Sequence, residues 1–177
     1  MNQSQNSPKP IQYERYTRGQ IVLVNFTPSI GSELRNNHLA IVLTKKDRPN
    51  NGVLTVIPLS SREKPYYLKL GSLLFSKVAP FLESSVSELT YAMEHLDQPD
   101  QDIVKVRENI RSIFAVLNVY NSMDKTSYAM VQNITTISKL RIRKPLNKYD
   151  PIKKIKVEDE ILDKIDQEII RYFTNYH

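Results

Sequence analysis

Residues 19–59 read GQIVLVNFTPSIGSELRNNHLAIVLTKKDRPNNGVLTVIPL, and the fold turns on them. Three apolar, β-branched runs at 19–26, 38–44 and 53–59 are set apart by polar stretches holding Pro28, Gly31, Pro49 and the Asn51-Gly52 pair. Short apolar runs bounded by such residues predict strands, and Asn-Gly favours a tight turn. The connections are too short for crossover helices, which take about a dozen residues or more, so the strands should form an antiparallel meander. HLAIVLT is almost continuously apolar and is expected to be buried on both faces. YYLKL (66–70) and SYAMVQN (127–133) read as further strands, rich in residues that suit a pleated surface.

Outward from this block the periodicity changes. Ile103, Val106, Ile110, Ile113, Leu117 and Tyr120 recur at spacings of three and four, which predicts an amphipathic helix with Lys105, Glu108 and Arg111 on its wet side. A shorter helix is expected over 86–96, with His95 in a structural role. A closing helix carries Val157, Ile161, Ile165, Ile169 and Tyr172 in one stripe. Glu158, Asp159 and Glu160 stand at its start and Arg171 near its end, the charge order the helix dipole favours. The expected class is mainly β with helices (α+β): a small, strongly bent sheet or barrel with helices packed on it. Residues 1–15 are expected to be a disordered tail and 16–177 a single domain.

Composition narrows the chemistry. The 177 residues carry a formal net charge of +6, which favours an anionic partner. Cysteine is absent, which excludes disulfides, thiolate catalysis and cysteine-bound zinc. No apolar run approaches the roughly 20 residues of a membrane span, and no hydrophobic leader opens the chain, so a cytoplasmic protein without membrane contact is expected. Four glycines cannot build a glycine-rich phosphate cradle. His38, His95 and His177 are scattered, so neither a metal nor a cofactor is expected. The stretch 139–156, KLRIRKPLNKYDPIKKIK, sets eight Lys or Arg against Asp150. It reads either as a solvated charged face or as a surface that meets phosphates.

The segment GSELRNNH (31–38) puts a hydroxyl, a carboxylate, a guanidinium, two amides and an imidazole ahead of a strand. Here the chain resembles the MazF/PemK toxins of type II toxin–antitoxin systems. The family opens with Arg-Gly, an acidic residue and an aliphatic strand. Pro and Gly-Ser-Glu follow, then a basic residue leading through Pro into an apolar strand. This chain has Arg18-Gly19-Gln20, Ile21 to Phe26, Pro28, Gly31-Ser32-Glu33 and His38-Leu39-Ala40-Ile41-Val42. TVIPLSS places Ser60 where the family's next strand ends in a hydroxyl, and NITTISKLRI (133–142) follows a later family strand with substitutions. The resemblance spans 18–61 and 128 onward, with a helical insertion at about 80–122.

The resemblance implies a small SH3-like β-barrel, usually a homodimer, that cuts single-stranded RNA without a metal and is covered by an acidic antitoxin polypeptide. Such cutting activates a ribose 2′-hydroxyl against the adjacent phosphate and needs a proton acceptor, a proton donor and a partner for the phosphorane oxygens. Where the family has Arg-Pro, this chain has His38-Leu39; a second family Arg and its acidic neighbour are Thr135 and Ser138. An ordinary imidazole, with a pKa of about 6.5, exists in both protonation states near neutrality, which Arg does not. The implied assignment is His38 as acid and base, with Arg35 and Ser60 stabilising phosphate. Ser32, Glu33, Asn36, Asn37, Ser61, Gln132, Asn133, Lys139 and Arg141 are candidate RNA contacts. Each has a plainer reading: His38 as a half-buried strand histidine, Ser60 as a turn hydroxyl, Glu33 as a loop brace, Arg35 as a loop charge. Two other functions stay open, a silent member that binds RNA or protein and a gyrase-type poison.

Overall fold

The three apolar runs become strands β1 (Ile21–Asn25), β2 (Asn37–Val42) and β3 (Val53–Ser60), paired as an antiparallel meander. They belong to a computed structural model that describes residues 11–73, 75–94, 99–121 and 126–175. β3 is the longest strand and serves two further ladders. Its first half pairs with β6 (Thr135–Ser138), and Leu59 and Ser60 pair with β5 (Ser127–Ala129), beside which lies β4 (Leu68–Gly71). SYAMVQN is strand only at its start. Val131–Asn133 is a 3-10 turn, and a second such turn, Lys139–Arg141, ends β6.

That second turn explains a difference from expectation. The six strands form one antiparallel sheet that is not closed into a barrel. Beyond β6 the chain returns to the β1 edge through isolated bridges, Val24 to Ile142 and Gln20 to Lys156, and the Arg143 N–H donates to the Leu23 carbonyl at 2.8 Å. A residue run folded into a 3-10 turn cannot extend a ladder.

Burial on both faces of β2 is observed. Strand residues alternate sides, so Ile21, Ile41 and Ile57 enter one core and Val22, Val24, Val42 and Val56 the other. The helices cover the first core. They are α1 (Phe75–Glu94), α2 (Pro99–Asn121) and α3 (Asp159–Phe173). The helical stretch begins at Phe75, before residue 80, and α1 is much longer than the short helix expected at 86–96; His95 lies outside the described residues. α2 buries Val106, Ile113, Val116 and Tyr120, whereas Ile103 and Ile110 face outward. α3 buries Leu162 and Ile165, with Ile161 and Ile169 at the margin and Tyr172 exposed. Both stripes are rotated slightly from the predicted ones, toward Val116 in α2 and Leu162 in α3.

Within the expected tail, residues 11–15 are described and lie on the domain. Tyr13 donates its N–H to the Pro49 carbonyl at 2.7 Å, and Glu14 pairs with Lys153. Gly19 explains its own presence: φ is +86°, and a Cβ there would come within 3.1 Å of Leu162. That backbone region is open to glycine and strained for other residues.

Candidate active site

The loop between β1 and β2 braces itself. Glu33 Oε2 accepts the Ile30 N–H at 2.9 Å, Arg35 Nη2 donates to the Gly31 carbonyl at 3.1 Å, and the Asn36 N–H reaches Thr27 Oγ1 at 3.1 Å. Each sets a side-chain group against a turn backbone group, as the Thr27 hydroxyl does for Asn36. Asn36 takes a left-handed φ of 65°, and its carbonyl accepts from Phe26 N–H, closing the loop where β2 begins.

β2 then delivers His38, opposite Val24 of β1. The ring is half-buried and meets Phe26 edge-on, centroids 6.1 Å apart. On its other side the β2–β3 ladder ends with Ala40 opposite Pro58, two residues short of His38 on one strand and of Ser60 on the other. His38 and Ser60 both line one open groove of about 590 Å³, with Arg35, Ser61, Ser32 and Glu33 on the same walls. Gln132 and Asn133 close it from the 3-10 turn after β5. Gln132 Oε1 also accepts the Tyr172 hydroxyl of α3 at 3.2 Å.

Ser60 is partly occupied. Its Oγ accepts the Arg62 N–H at 3.0 Å and donates to the Arg62 carbonyl at 3.2 Å. Glu33 braces its loop in the same local manner, as its plainer reading has it. Asn36 and Asn37 do not reach the groove wall, and Asn37 Oδ1 accepts from Arg143 Nε at 3.5 Å. Arg141 lies in an adjoining cleft of about 350 Å³ that shares Glu33, Leu34 and Asn133 with the first. There it donates to the Asn25 and Thr27 carbonyls. Lys139 must be corrected. It is buried, paired with Asp47 at 2.8 Å and bonded to two backbone carbonyls, so it cannot contact a strand on the surface.

Sequence reasoning missed three wall residues, Arg62, Lys64 and Tyr67, from the loop between β3 and β4. The signal was there in SSREKPYY (60–67), where cations and aromatics directly follow the strand-end hydroxyls. With Arg35 they make three cations against one carboxylate, Glu33, which already accepts a backbone N–H. The adjacent Tyr66, and then Tyr67, push the Lys64 ammonium above its ordinary range. Among the described residues no group of three or more His, Asp or Glu is placed to hold a metal ion, and no helix is long and apolar enough to cross a membrane.

Residues 17–114 match the family model described as PemK-like, MazF-like toxin of type II toxin-antitoxin system. The chain belongs to this family. The matched span of the PemK/MazF-like toxin holds β1 to β4, α1 and most of α2. The walls built by His38, Ser60 and the two loops therefore lie inside it, and Gln132 and Asn133 beyond it. A type II toxin implies an antitoxin partner. Among solved structures the toxin is similar to MazF from Deinococcus radiodurans, at 14% identity over 88% of this chain and 94% of that one, with a TM-score of 0.46. No curated protein matches it.

Proposed function

We propose that this toxin is an endoribonuclease that cuts single-stranded RNA without a metal, with His38 handling the proton of the attacking 2′-hydroxyl. The supporting observation is that His38 and Ser60 line one solvent-open groove together with Arg35, Arg62 and Lys64. The neutral imidazole takes the 2′-hydroxyl proton as the 2′-oxygen attacks phosphorus. The 5′-oxygen leaves with a proton from water admitted by the open groove, giving a 2′,3′-cyclic phosphate and a 5′-hydroxyl. Positioned proton transfer contributes roughly 10²–10⁴ in rate. Arg35 supplies charge to the phosphorane oxygens, a service whose value rises in a site prepared for it. Ser60 joins by exchanging its bond to the Arg62 carbonyl for an anionic phosphate oxygen, the stronger acceptor. The reading carries with it a homodimer, a cytoplasmic setting and an acidic antitoxin over the cationic groove.

The test is incubation of the protein with a panel of oligoribonucleotides in EDTA. Fragments ending in cyclic phosphate, and protection of the cut by deoxyribose on its 5′ side, support the reading; an uncut panel overturns it. One observation favours a second reading, an RNA-binding module without chemistry: the Ser60 hydroxyl is engaged locally, and His38 stands where the resemblance has Arg. An uncut strand retained by the protein is the result that reading requires.

A further inference from the structure

The loop between β3 and β4 carries more apparatus than a turn needs. Tyr67 N–H donates to the Lys64 carbonyl at 3.0 Å, closing a turn over Lys64 to Tyr67. Tyr66 and Tyr67 meet at right angles, centroids 5.1 Å apart and planes at 88°. The Lys64 ammonium lies 5.7 Å from the first ring centroid and 5.5 Å from the second. Of the two rings, Tyr67 is half-buried and lines the groove; Tyr66 is exposed and buttresses it from outside. Burial first, and then the nearby Glu63 carboxylate, push the Tyr128 phenol above its ordinary range, so the acid of the loop lies toward β5.

We infer that Tyr67 is a stacking platform for one base of the bound strand, with Lys64 and Arg62 contacting the phosphates beside it. This rests on the RNA reading of the same groove. Single-stranded nucleic acid is held by cations that track the backbone and by aromatic faces on which bases stack. A ring fixed by an edge-on neighbour and a cation is ordered before the ligand arrives, so little rotamer freedom is lost on binding. Stacking accepts any base, since each has a π-face. Tyr67 therefore sets affinity and register in the groove that His38 also lines.

The test uses a 2′-O-methyl oligonucleotide, which cannot be cut because its nucleophile is blocked, with 2-aminopurine placed at successive positions. The wild type should bind it and quench the probe at one position. Tyr67→Ala and Tyr67→Leu should weaken binding roughly tenfold or more and lose that quench, while Tyr67→Phe and Tyr67→Trp keep both. Lys64→Gln should lower the salt dependence of binding by about one phosphate contact. The inference is overturned if Tyr67→Leu binds like the wild type, if no position is quenched, or if the wild type does not bind. Should a variant melt early, the quench in the wild type decides. Failure of the cleavage reading looks different: an all-ribose strand stays whole while this binding and its Tyr67 dependence persist.

Discussion

Lys139 and Asp47 form an ion pair at 2.8 Å with both side chains enclosed, 3% and 1% exposed. The ammonium also bonds the Glu14 and Arg48 carbonyls, and Asp47 Oδ2 accepts the Tyr16 N–H at 2.9 Å. One pair thus ties together the N-terminal segment, the β2–β3 connection and the end of β6. Among the described residues Asp47 Oδ1 has no hydrogen-bond partner, which leaves the carboxylate dependent on Lys139 and the Tyr16 N–H. Removing one partner of a buried pair strands the other charge, at about 3–5 kcal/mol, whereas replacing both by apolar groups is much milder. Lys139→Met should therefore lower stability in urea melts by roughly that amount, and Lys139→Met with Asp47→Leu should recover most of it. A single variant as stable as the wild type would remove this pair from the account of the fold.

His38 carries the proposed chemistry and little of the packing, being half-buried with one edge-on aromatic contact. His38→Ala should slow cutting of an oligoribonucleotide by about 10²–10⁴, with a small fall in melting temperature from the lost contact to Phe26. His38→Arg, which restores the residue type the resemblance places there, should cut better than His38→Ala. Equal rates for the wild type and His38→Ala would move the proton chemistry to another residue.

What could be read from the residues follows the range of each signal. β1 to β3 were legible because their apolar runs and turn residues are local, and β2 showed its two-sided burial as an unbroken apolar run. That His38 and Ser60 share one groove was legible only through the family motif, since nothing local brings together two residues of separate strands. Lys139 was misplaced because a run of cations looks solvated until the fold brings Asp47 and two carbonyls to one of them. Arg62, Lys64 and Tyr67 were passed over as loop, though SSREKPYY held cations and aromatics together. The open sheet was hidden for a similar reason: whether the residues after Ser138 extend a ladder or turn away depends on Val24 and Leu23, far off in the chain.

Alkali should unfold this protein through Tyr120. Its phenol donates to Asp150 Oδ1 at 2.6 Å, and burial first, then that bond, push its pKa well above the ordinary value near 10. A group whose folded pKa is raised lends stability that is whole below the unfolded value and shrinks as pH climbs toward the folded one. Stability should therefore fall above a pH of about 10, as followed by circular dichroism. Tyr120→Phe should be weaker by about 1–2 kcal/mol at neutral pH and should show a shallower alkaline fall. Asp150 stays satisfied in that variant by the Ile152 and Leu146 N–H groups, at 3.0 and 2.7 Å. An alkaline slope unchanged by the substitution would assign the effect to other groups.

Glu33 separates a braced loop from a catalytic carboxylate. It lines the groove, yet its Oε2 accepts the Ile30 N–H at 2.9 Å, and the neighbouring Arg35 bond to the Gly31 carbonyl holds the same turn. As a brace, its carbonyl-type oxygen is what matters, and an amide supplies one. Glu33→Gln should then keep kcat and KM near the wild type. Glu33→Ala frees the loop that walls the groove, so KM should rise several-fold at little cost to kcat, because substrate and transition state lose the same ordered wall. A general base behaves otherwise: Gln and Ala would lower kcat alike, by the roughly 10²–10⁴ of a missing proton acceptor, at unchanged KM. That second pattern would give Glu33 the role assigned to His38, and the two sets of variants measured side by side decide between them.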